Sequence, residues 1–144
     1  MPDSPRPLLD GMLTTAREAQ ARAYAPYSRF RVGAALRTPE GDIFAGCNVE
    51  NAAYPVGTCA EAGAIAAMVA GGGRRIAEIV VVGDGEVPVT PCGACRQRLR
   101  EFGAADLRVH AANKTKLFQS FRLEELLPYA FGPDNLAPGG GGEG

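Results

Sequence analysis

The chain has 144 residues, a mass of 15.0 kDa and 46% apolar residues, so we expect one domain with its own hydrophobic core. Its 15 basic and 16 acidic residues nearly cancel, which argues against the broad cationic surface that binding to polymeric nucleic acid requires. No segment has the length and hydropathy of a transmembrane helix, and residues 1–13 lack the pattern of a secretory signal, so we expect a cytoplasmic protein with no membrane partner.

The first half of the chain predicts a helix, a β-hairpin and a second helix. Residues 8–23 carry apolar side chains at helical intervals. Residues 30–36 and 43–50 are extended runs on either side of a Pro-Glu-Gly-Asp turn, which indicates a hairpin. An alanine-rich segment at residues 58–70 has strong helix propensity, and the glycines that follow it are typical of a helix end.

The second half of the chain predicts further strands and helices in alternation. Residues 76–82 form a continuous apolar run, typical of a strand covered on both faces, and residues 92–102 predict a helix. Two more strands and a short helix are predicted at residues 107–111, 116–121 and 123–127. This order predicts an α/β sheet with helices on both faces. We expect a domain at residues 1–134 and a disordered glycine-rich tail at residues 135–144.

Three of the four cysteines stand at the predicted starts of two helices. Cys59 and Glu61 open one helix, and Cys92 and Cys95 open the next, with an apolar strand between them. If both helices follow parallel strands, their N-termini lie at one edge of the sheet, where open α/β sheets bind ligands. Cytoplasmic cysteines stay reduced and helix N-termini favour thiolates, so these thiols predict a zinc site.

Three thiolate ligands leave one position of a tetrahedral zinc ion open, as in catalytic sites and unlike structural sites. Zinc lowers the pKa of a bound water from ~15.7 toward ~7, and Glu61 is placed to move the released proton. Two other interpretations stay open. The pair Cys92 and Cys95 could be redox-active, or Cys47 could complete a structural zinc site, although Cys47 has no partner at ligand spacing and better fits a small buried thiol.

The order Cys-Ala-Glu followed by Pro-Cys-Gly-Ala-Cys matches the signature of zinc deaminases that act on nucleobases. From about residue 27 to residue 131 the chain resembles the small zinc-dependent cytidine deaminases, which act on free nucleosides. The resemblance is carried by the blocks YSRFRVGAAL, GCNVENAAYP, CAE, PCGACRQ and ELLPYAF. It implies a three-layer α/β/α sandwich with a mixed central sheet, a homotetramer and one Zn²⁺ per chain.

The resemblance also implies roles for individual residues. Cys59, Cys92 and Cys95 would hold the zinc ion, and Glu61 would carry protons between water and base. The reaction would release ammonia from cytidine or 2'-deoxycytidine in pyrimidine salvage. The implied nucleoside contacts are Asn48 and Glu50 at the ribose, Phe30 at the base, the Ala60 backbone N–H, Tyr54 and Tyr27 in the wall, and Phe131 from a neighbouring subunit.

One residue departs from the family pattern. Many relatives place an arginine directly after Cys-Ala-Glu, whereas this chain has Ala62. Because three thiolates outweigh the charge of one Zn²⁺, we expect other groups to compensate. The helix N-termini at Cys59 and Cys92 supply positive partial charge, and Arg96 and Gln97 are the nearest candidate donors in sequence. His110 has no partner motif, so the sequence predicts a structural role for it.

Three alternative functions are compatible with parts of this pattern. A deaminase of another cytosine nucleoside, such as blasticidin S, would share the metal chemistry, although the Asn-Val-Glu-Asn run at residues 48–51 favours a plain ribose. A polynucleotide deaminase would need a basic and aromatic surface, which the composition argues against. A non-catalytic zinc-binding module is the alternative outside enzymes. We therefore expect a small-molecule nucleoside as the partner.

Overall fold

The computed structural model describes residues 6–136 and consists of helices and strands in alternation. The elements are α1 (Arg6–Ala21), β1 (Gly33–Arg37), β2 (Ile43–Cys47), α2 (Ala60–Ala70), β3 (Glu78–Val82), α3 (Gly93–Phe102), β4 (Arg108–Ala112), β5 (Leu117–Arg122), α4 (Leu123–Leu126) and α5 (Pro133–Leu136). A 3₁₀ turn at Tyr54–Val56 precedes α2. The predicted boundary after residue 134 falls within α5, and the predicted tail from residue 137 onward lies outside the described residues.

The strands form one mixed sheet in the order β2-β1-β3-β4-β5. Strand β1 pairs antiparallel with both β2 and β3, β3 pairs parallel with β4, and β5 closes the sheet antiparallel to β4. Strands β2 and β3 therefore point the same way, although they are not neighbours. Since α2 follows β2 and α3 follows β3, both helices begin at the same edge of the sheet, as the sequence predicts.

Helices cover both faces of this sheet, which confirms the predicted three-layer α/β/α architecture. Alternate residues of β3 face opposite layers, so Val80 packs with Met12 of α1. Ile79 faces the other way and packs in the same cluster as Met68 of α2 and Leu99 of α3. Burial of each such side chain stabilises the fold by about 1.5–3 kcal/mol. Within residues 6–136, none of the helices has the length and apolar character needed to cross a bilayer.

Strand β1 begins later than predicted, at Gly33 rather than at residue 30. The N–H groups of residues 30–32 bind side chains, although the Val32 carbonyl still accepts a hydrogen bond from the Asn48 N–H at 3.1 Å, just after β2. The Arg31 N–H donates to Asp84 Oδ2 at 2.9 Å, and the Val32 N–H donates to Asn48 Oδ1 at 2.8 Å. The other predicted helices and strands are present with shifted ends, whereas the sequence predicts neither the 3₁₀ turn nor α5.

The predicted structural role of His110 is confirmed by its contacts within the sheet. Its Nε2 lies 2.6 Å from Glu78 Oε2, and its Nδ1 lies 2.6 Å from Ser120 Oγ. His110 and Glu78 are buried, and Glu78 also pairs with Arg37 at 3.3 Å. These polar contacts join β1, β3, β4 and β5, so both ring nitrogens of His110 are used in holding strands together.

Helix α2 lies directly on strand β2 because Gly46 has no side chain. A methyl group at Gly46 would overlap the Ala60 carbonyl oxygen and the Ala64 nitrogen. Both of these are backbone atoms, so they cannot move aside as the end of a flexible side chain could. The contact fixes the start of α2, with Cys59 and Glu61, against the edge of the sheet.

We predict that Gly46→Ala lowers the free energy of unfolding by about 1–3 kcal/mol, because the added methyl group overpacks the interface. Denaturant unfolding monitored by circular dichroism measures this change. Gly11→Ala in α1 is the matched control, since nothing lies within 4 Å of its added methyl group. It should leave stability unchanged or raise it by up to about 1 kcal/mol. Equal stability of the Gly46 variant and the wild type would contradict the role of this contact.

Candidate metal centre

Two helix starts bring the predicted metal ligands together. Cys59 is the N-cap residue of α2, and Cys92 is the N-cap residue of α3. Glu61 and Cys95 lie in the first turns of the same helices. Because α2 and α3 start at one edge of the sheet, these side chains converge from two separate parts of the chain.

The sulfur atoms of Cys59, Cys92 and Cys95 all lie within 4.8 Å of one another. A tetrahedral zinc ion with Zn–S bonds of ~2.3 Å separates its sulfur ligands by roughly 3.8 Å, so this group fits the ion with small adjustments. Cys47 is half-buried in β2 and is not part of the group. Within residues 6–136, the arrangement therefore does not support Cys47 as a fourth ligand.

The three thiols differ in their electrostatic surroundings. Backbone N–H groups of Cys95 and Ala94, at the start of α3, lower the pKa of the Cys92 thiol. Burial raises the pKa of Cys59 and of Cys95, and the neighbouring acidic groups act in the same direction. A dication favours the thiolate form of all three, so the site is suited to a bound metal ion.

Glu61 lies beside this group and is 5% exposed. Burial raises the pKa of its carboxyl group above the usual range, and Arg98 acts in the opposite direction. Glu61 and the thiol of Cys95 influence each other's ionisation, which places the carboxylate next to the sulfur ligands. The centre therefore combines metal ligands with one acid–base group that is shielded from solvent.

The prediction that Arg96 and Gln97 donate to the sulfur atoms is wrong. The Arg96 guanidinium donates to the Pro91 carbonyl at 2.7 Å, the Leu126 carbonyl at 2.8 Å and Thr90 Oγ1 at 3.0 Å. Gln97 Nε2 donates to the Phe131 carbonyl at 2.8 Å. Both side chains bind groups of the segments that flank α3, including the end of α4, and neither donates to the sulfur ligands.

Arg98 is the arginine that reaches the sulfur ligands. Its Nη1 donates to Cys95 Sγ at 3.5 Å. Residues three apart in a helix lie on the same face, so Arg98 reaches Cys95 although it lies further along the sequence than Arg96. Its charge also favours the ionised forms of Cys59 and Glu61. Arg98 thus supplies positive charge to the group of three thiols.

A cavity of about 440 Å³ opens beside Cys59. Its lining residues are Tyr27, Ser28, Glu50, Asn51, Tyr54, Gly57, Thr58 and Cys59. Three of the predicted nucleoside contacts are therefore in its wall, namely Tyr27, Glu50 and Tyr54. The rings of Tyr27 and Tyr54 meet edge to face with centroids 6.0 Å apart. Ser28, Gly57 and Thr58 are not predicted, although Ser28 lies within the block YSRFRVGAAL and Gly57 and Thr58 directly precede CAE. Asn51 belongs to the run at residues 48–51 that favours a plain ribose.

The other predicted contacts lie outside the wall of this cavity. Asn48 Nδ2 donates to the Phe30 carbonyl at 2.9 Å and its Oδ1 accepts from Val32, so its amide holds the segment before β1. Phe30 is 38% exposed, and Phe131 is 57% exposed. Ala60 is buried at the start of α2. The cavity beside Cys59 is therefore lined by three of the predicted nucleoside contacts and not by these four.

Glu50 is held in place by the backbone of the loop before β1. Its Oε1 accepts hydrogen bonds from the Tyr27 N–H at 2.9 Å and the Ser28 N–H at 3.1 Å. Hydrogen bonds from Ser28 hold the pKa of Glu50 below its usual range, and the hydrogen bond from Tyr27 acts in the same direction. The cavity wall thus carries an ionised carboxylate near neutral pH.

Comparison with known proteins agrees with this geometry. The family model described as the cytidine and deoxycytidylate deaminase zinc-binding region matches residues 9–111. This chain belongs to that deaminase family. Cytidine deaminase from Mycobacterium tuberculosis is 44% identical over 137 residues, which cover 94% of this chain and 96% of that protein. The relative from Halalkalibacterium halodurans is 42% identical over 125 residues, 87% of this chain and 95% of that protein.

Solved structures show the same fold. The crystal structure of cytidine deaminase from Burkholderia pseudomallei aligns with a TM-score of 0.80 and 44% identity, covering 85% of this chain and 98% of that one. The chain is thus an enzyme of the cytidine deaminase family, and Zn²⁺ is the cofactor predicted from its three cysteines. The mixed sheet predicted from the resemblance is confirmed as well.

We predict that Arg98→Ala makes this deaminase lose zinc about 10-fold faster to an excess of chelator, since lost partners of metal ligands typically cost 10–100-fold in affinity. A chromogenic chelator follows the release. Arg98→Lys keeps the charge and should fall between the wild type and Arg98→Ala.

Three further variants serve as controls for this measurement. Cys95→Ala should bind little zinc, whereas Cys47→Ser and Gln97→Ala should release it at the wild-type rate, because neither side chain contacts the centre. If Gln97→Ala loses zinc faster than Arg98→Ala does, Arg98 is not the residue that supplies positive charge to the sulfur ligands.

Proposed function

We propose that this enzyme hydrolyses the 4-amino group of free cytidine and 2'-deoxycytidine, releasing ammonia and the uracil nucleoside in pyrimidine salvage. The observation that supports this most directly is that Cys59 belongs both to the zinc centre and to the wall of the 440 Å³ cavity. A ligand in that cavity would lie next to the three cysteines at the edge of the sheet. The relatives described above are named cytidine deaminases, after the same reaction.

Zinc, when bound, supplies a Lewis acid that activates a water molecule for attack on C4 of the base. Glu61 would accept one proton of that water and deliver it to N3, while the water oxygen forms a bond to C4, which becomes tetrahedral. Glu61 would then move the proton that remains on this oxygen to the 4-amino group, so that the C4–N bond breaks, ammonia leaves and C4 becomes the carbonyl carbon of the uracil base. The 5% exposure of Glu61 supports this role because few solvent molecules compete for its protons.

Groups of this chain would orient the nucleoside in the cavity. The Glu50 carboxylate is placed to accept hydrogen bonds from ribose hydroxyl groups, with Asn48 supporting the same side of the site. Ala60 is the first residue of α2, so its N–H has no acceptor within the helix and suits a carbonyl oxygen of the base. Phe30 would pack on the base, and Tyr27 and Tyr54 form the wall beside Cys59.

The charge of Glu50 favours a nucleoside over a nucleotide. A phosphate on the 5' oxygen would bring a second negative charge close to this carboxylate, and like charges at short range are unfavourable. The chain offers no lysine or arginine among the residues that line the described cavity. CMP should therefore be a much poorer substrate than cytidine.

We predict that Glu61→Gln retains zinc and fold but loses at least ~10²-fold in kcat, because the amide cannot transfer protons. The decrease in ultraviolet absorbance on deamination measures the rate with cytidine, 2'-deoxycytidine and CMP. Metal analysis and circular dichroism provide the controls. Near-normal turnover by this variant would exclude the proton-transfer role, and a wild-type enzyme that releases no ammonia from cytidine would overturn the proposed function.

We also propose that the enzyme is a homotetramer in which Phe131 completes the site of a neighbouring subunit. Several aromatic and aliphatic side chains are exposed in the single chain, including Tyr54 at 76%, Val56 at 63% and Phe131 at 57%. Large apolar side chains with this much exposure favour coverage by a partner. The Phe131 carbonyl is tied to Gln97 on α3, which leaves the ring free to project outward.

Subunit mixing is expected to reveal this sharing. Phe131→Ala should bind cytidine more weakly, and Glu61→Gln should be inactive. Co-refolded mixtures should regain activity, because a Glu61-containing site can then receive Phe131 from its neighbour. Light scattering gives the assembly state, and a fully active monomer, or mixtures no more active than the Phe131→Ala subunits alone, would contradict the shared site.

Two further assignments belong to this proposal. The catalytic domain corresponds to residues 1–134, and the residues beyond it are not needed for the reaction. The thiols of Cys59, Cys92 and Cys95 must stay reduced to hold zinc, which is the condition that the cytoplasm maintains.

A further inference from the structure

The segment before β1 is bound by two side chains that come from distant parts of the chain. Gln20 belongs to α1, and Asp84 follows β3. The Arg31 N–H donates to Asp84 Oδ2 at 2.9 Å. Gln20 Nε2 lies 3.2 Å from the Arg31 carbonyl and 3.2 Å from Asp84 Oδ1. Both backbone groups of Arg31 are therefore held by one pair of side chains.

Gln20 is the buried member of this pair, whereas Asp84 is partly exposed and is held through its loop. Gln20 is 1% exposed, so its amide has little access to water and depends on these partners. The loop that carries Asp84 is itself fastened, because Asn113 Nδ2 donates to the Gly85 carbonyl at 2.9 Å. Helix α1 and the loops after β3 and β4 thus form a fixed frame around Arg31.

Phe30 adjoins this frame and lies against its loop. A methyl group built on Gly83 would lie 3.5 Å from Phe30 Cε1, so the ring rests on the residue just before Asp84. On the other side, Arg29 has a φ of 59°, a left-handed conformation that non-glycine residues rarely adopt. Phe30 therefore follows directly after a sharp turn of the backbone. The orientation of its ring depends on how firmly the backbone of Arg31 is held.

We propose that Asp84 is a positioning residue, which fixes the Phe30 ring against the base through the backbone of Arg31. The inference rests on the proposed function, since it needs Phe30 to contact the substrate. Asp84 lies outside the metal centre and does not line the cavity at Cys59. Its effect should therefore appear in substrate binding and not in the zinc content or the chemical step.

A double-mutant cycle on the zinc-loaded enzyme tests this inference. Asp84→Ala should raise KM for cytidine about 3- to 10-fold, the range expected when an aromatic contact of ~0.5–1.5 kcal/mol is lost. Its kcat should stay within about twofold of the wild type, because no transition-state contact is removed. Phe30→Ala should raise KM by a similar factor, and adding Asp84→Ala to it should change KM no further.

Two variants separate positioning from a general loss of structure. Asp84→Asn keeps one oxygen as an acceptor for the Arg31 N–H, so its KM should fall between those of the wild type and Asp84→Ala. Lys114→Ala is the matched control, since Lys114 Nζ lies 3.7 Å from Asp84 Oδ1, whereas the Arg31 N–H is bound by Asp84 Oδ2. It should leave KM unchanged, and zinc content should stay at one ion per chain in every variant.

The outcomes distinguish this inference from the proposed function. If Phe30→Ala leaves KM unchanged, the proposed base contact of Phe30 fails and the inference fails with it. If Phe30→Ala raises KM while neither Asp84 variant does, the inference alone is overturned. Additive effects of Asp84→Ala and Phe30→Ala would also overturn it, because Asp84 would then act by another route.

Discussion

Strand β1 separates β2 from β3 and runs opposite to both, so the strands on either side of it point the same way. The helices that follow those two strands must therefore begin at one edge of the sheet. Cys59 and Cys92, which are far apart in sequence, become neighbours for this reason alone. The metal centre, the position of Glu61 and the cavity beside Cys59 all depend on this choice of strand direction.

The negative charge of the centre is balanced by groups of α3. Three thiolates and the Glu61 carboxylate carry more negative charge than one zinc ion can neutralise. The N–H groups at the start of α3 and the guanidinium of Arg98 supply the remaining positive potential. The arrangement needs no arginine after Glu61, which explains how Ala62 is compatible with a metal site of this kind.

The sequence was sufficient wherever the signal is local. Cys59, Cys92 and Cys95 stand at helix starts that propensity and spacing reveal, and the alternation of apolar segments predicts the layers of the fold. Proximity along the chain indicates Arg96 and Gln97 but not Arg98, because a helix brings residues three apart, such as Cys95 and Arg98, onto one face. The true start of β1 depends on Gln20 and Asp84, whose partners no local pattern can identify.

The zinc ion also has a consequence for the thermodynamics of the chain. It joins the first turns of α2 and α3, and so closes a loop that includes β3, much as a covalent cross-link would. A ligand that binds the folded chain more tightly than the unfolded one stabilises it by mass action. The fraction of folded enzyme therefore depends on the concentration of free zinc. When zinc is scarce, the amount of folded protein should fall together with the activity.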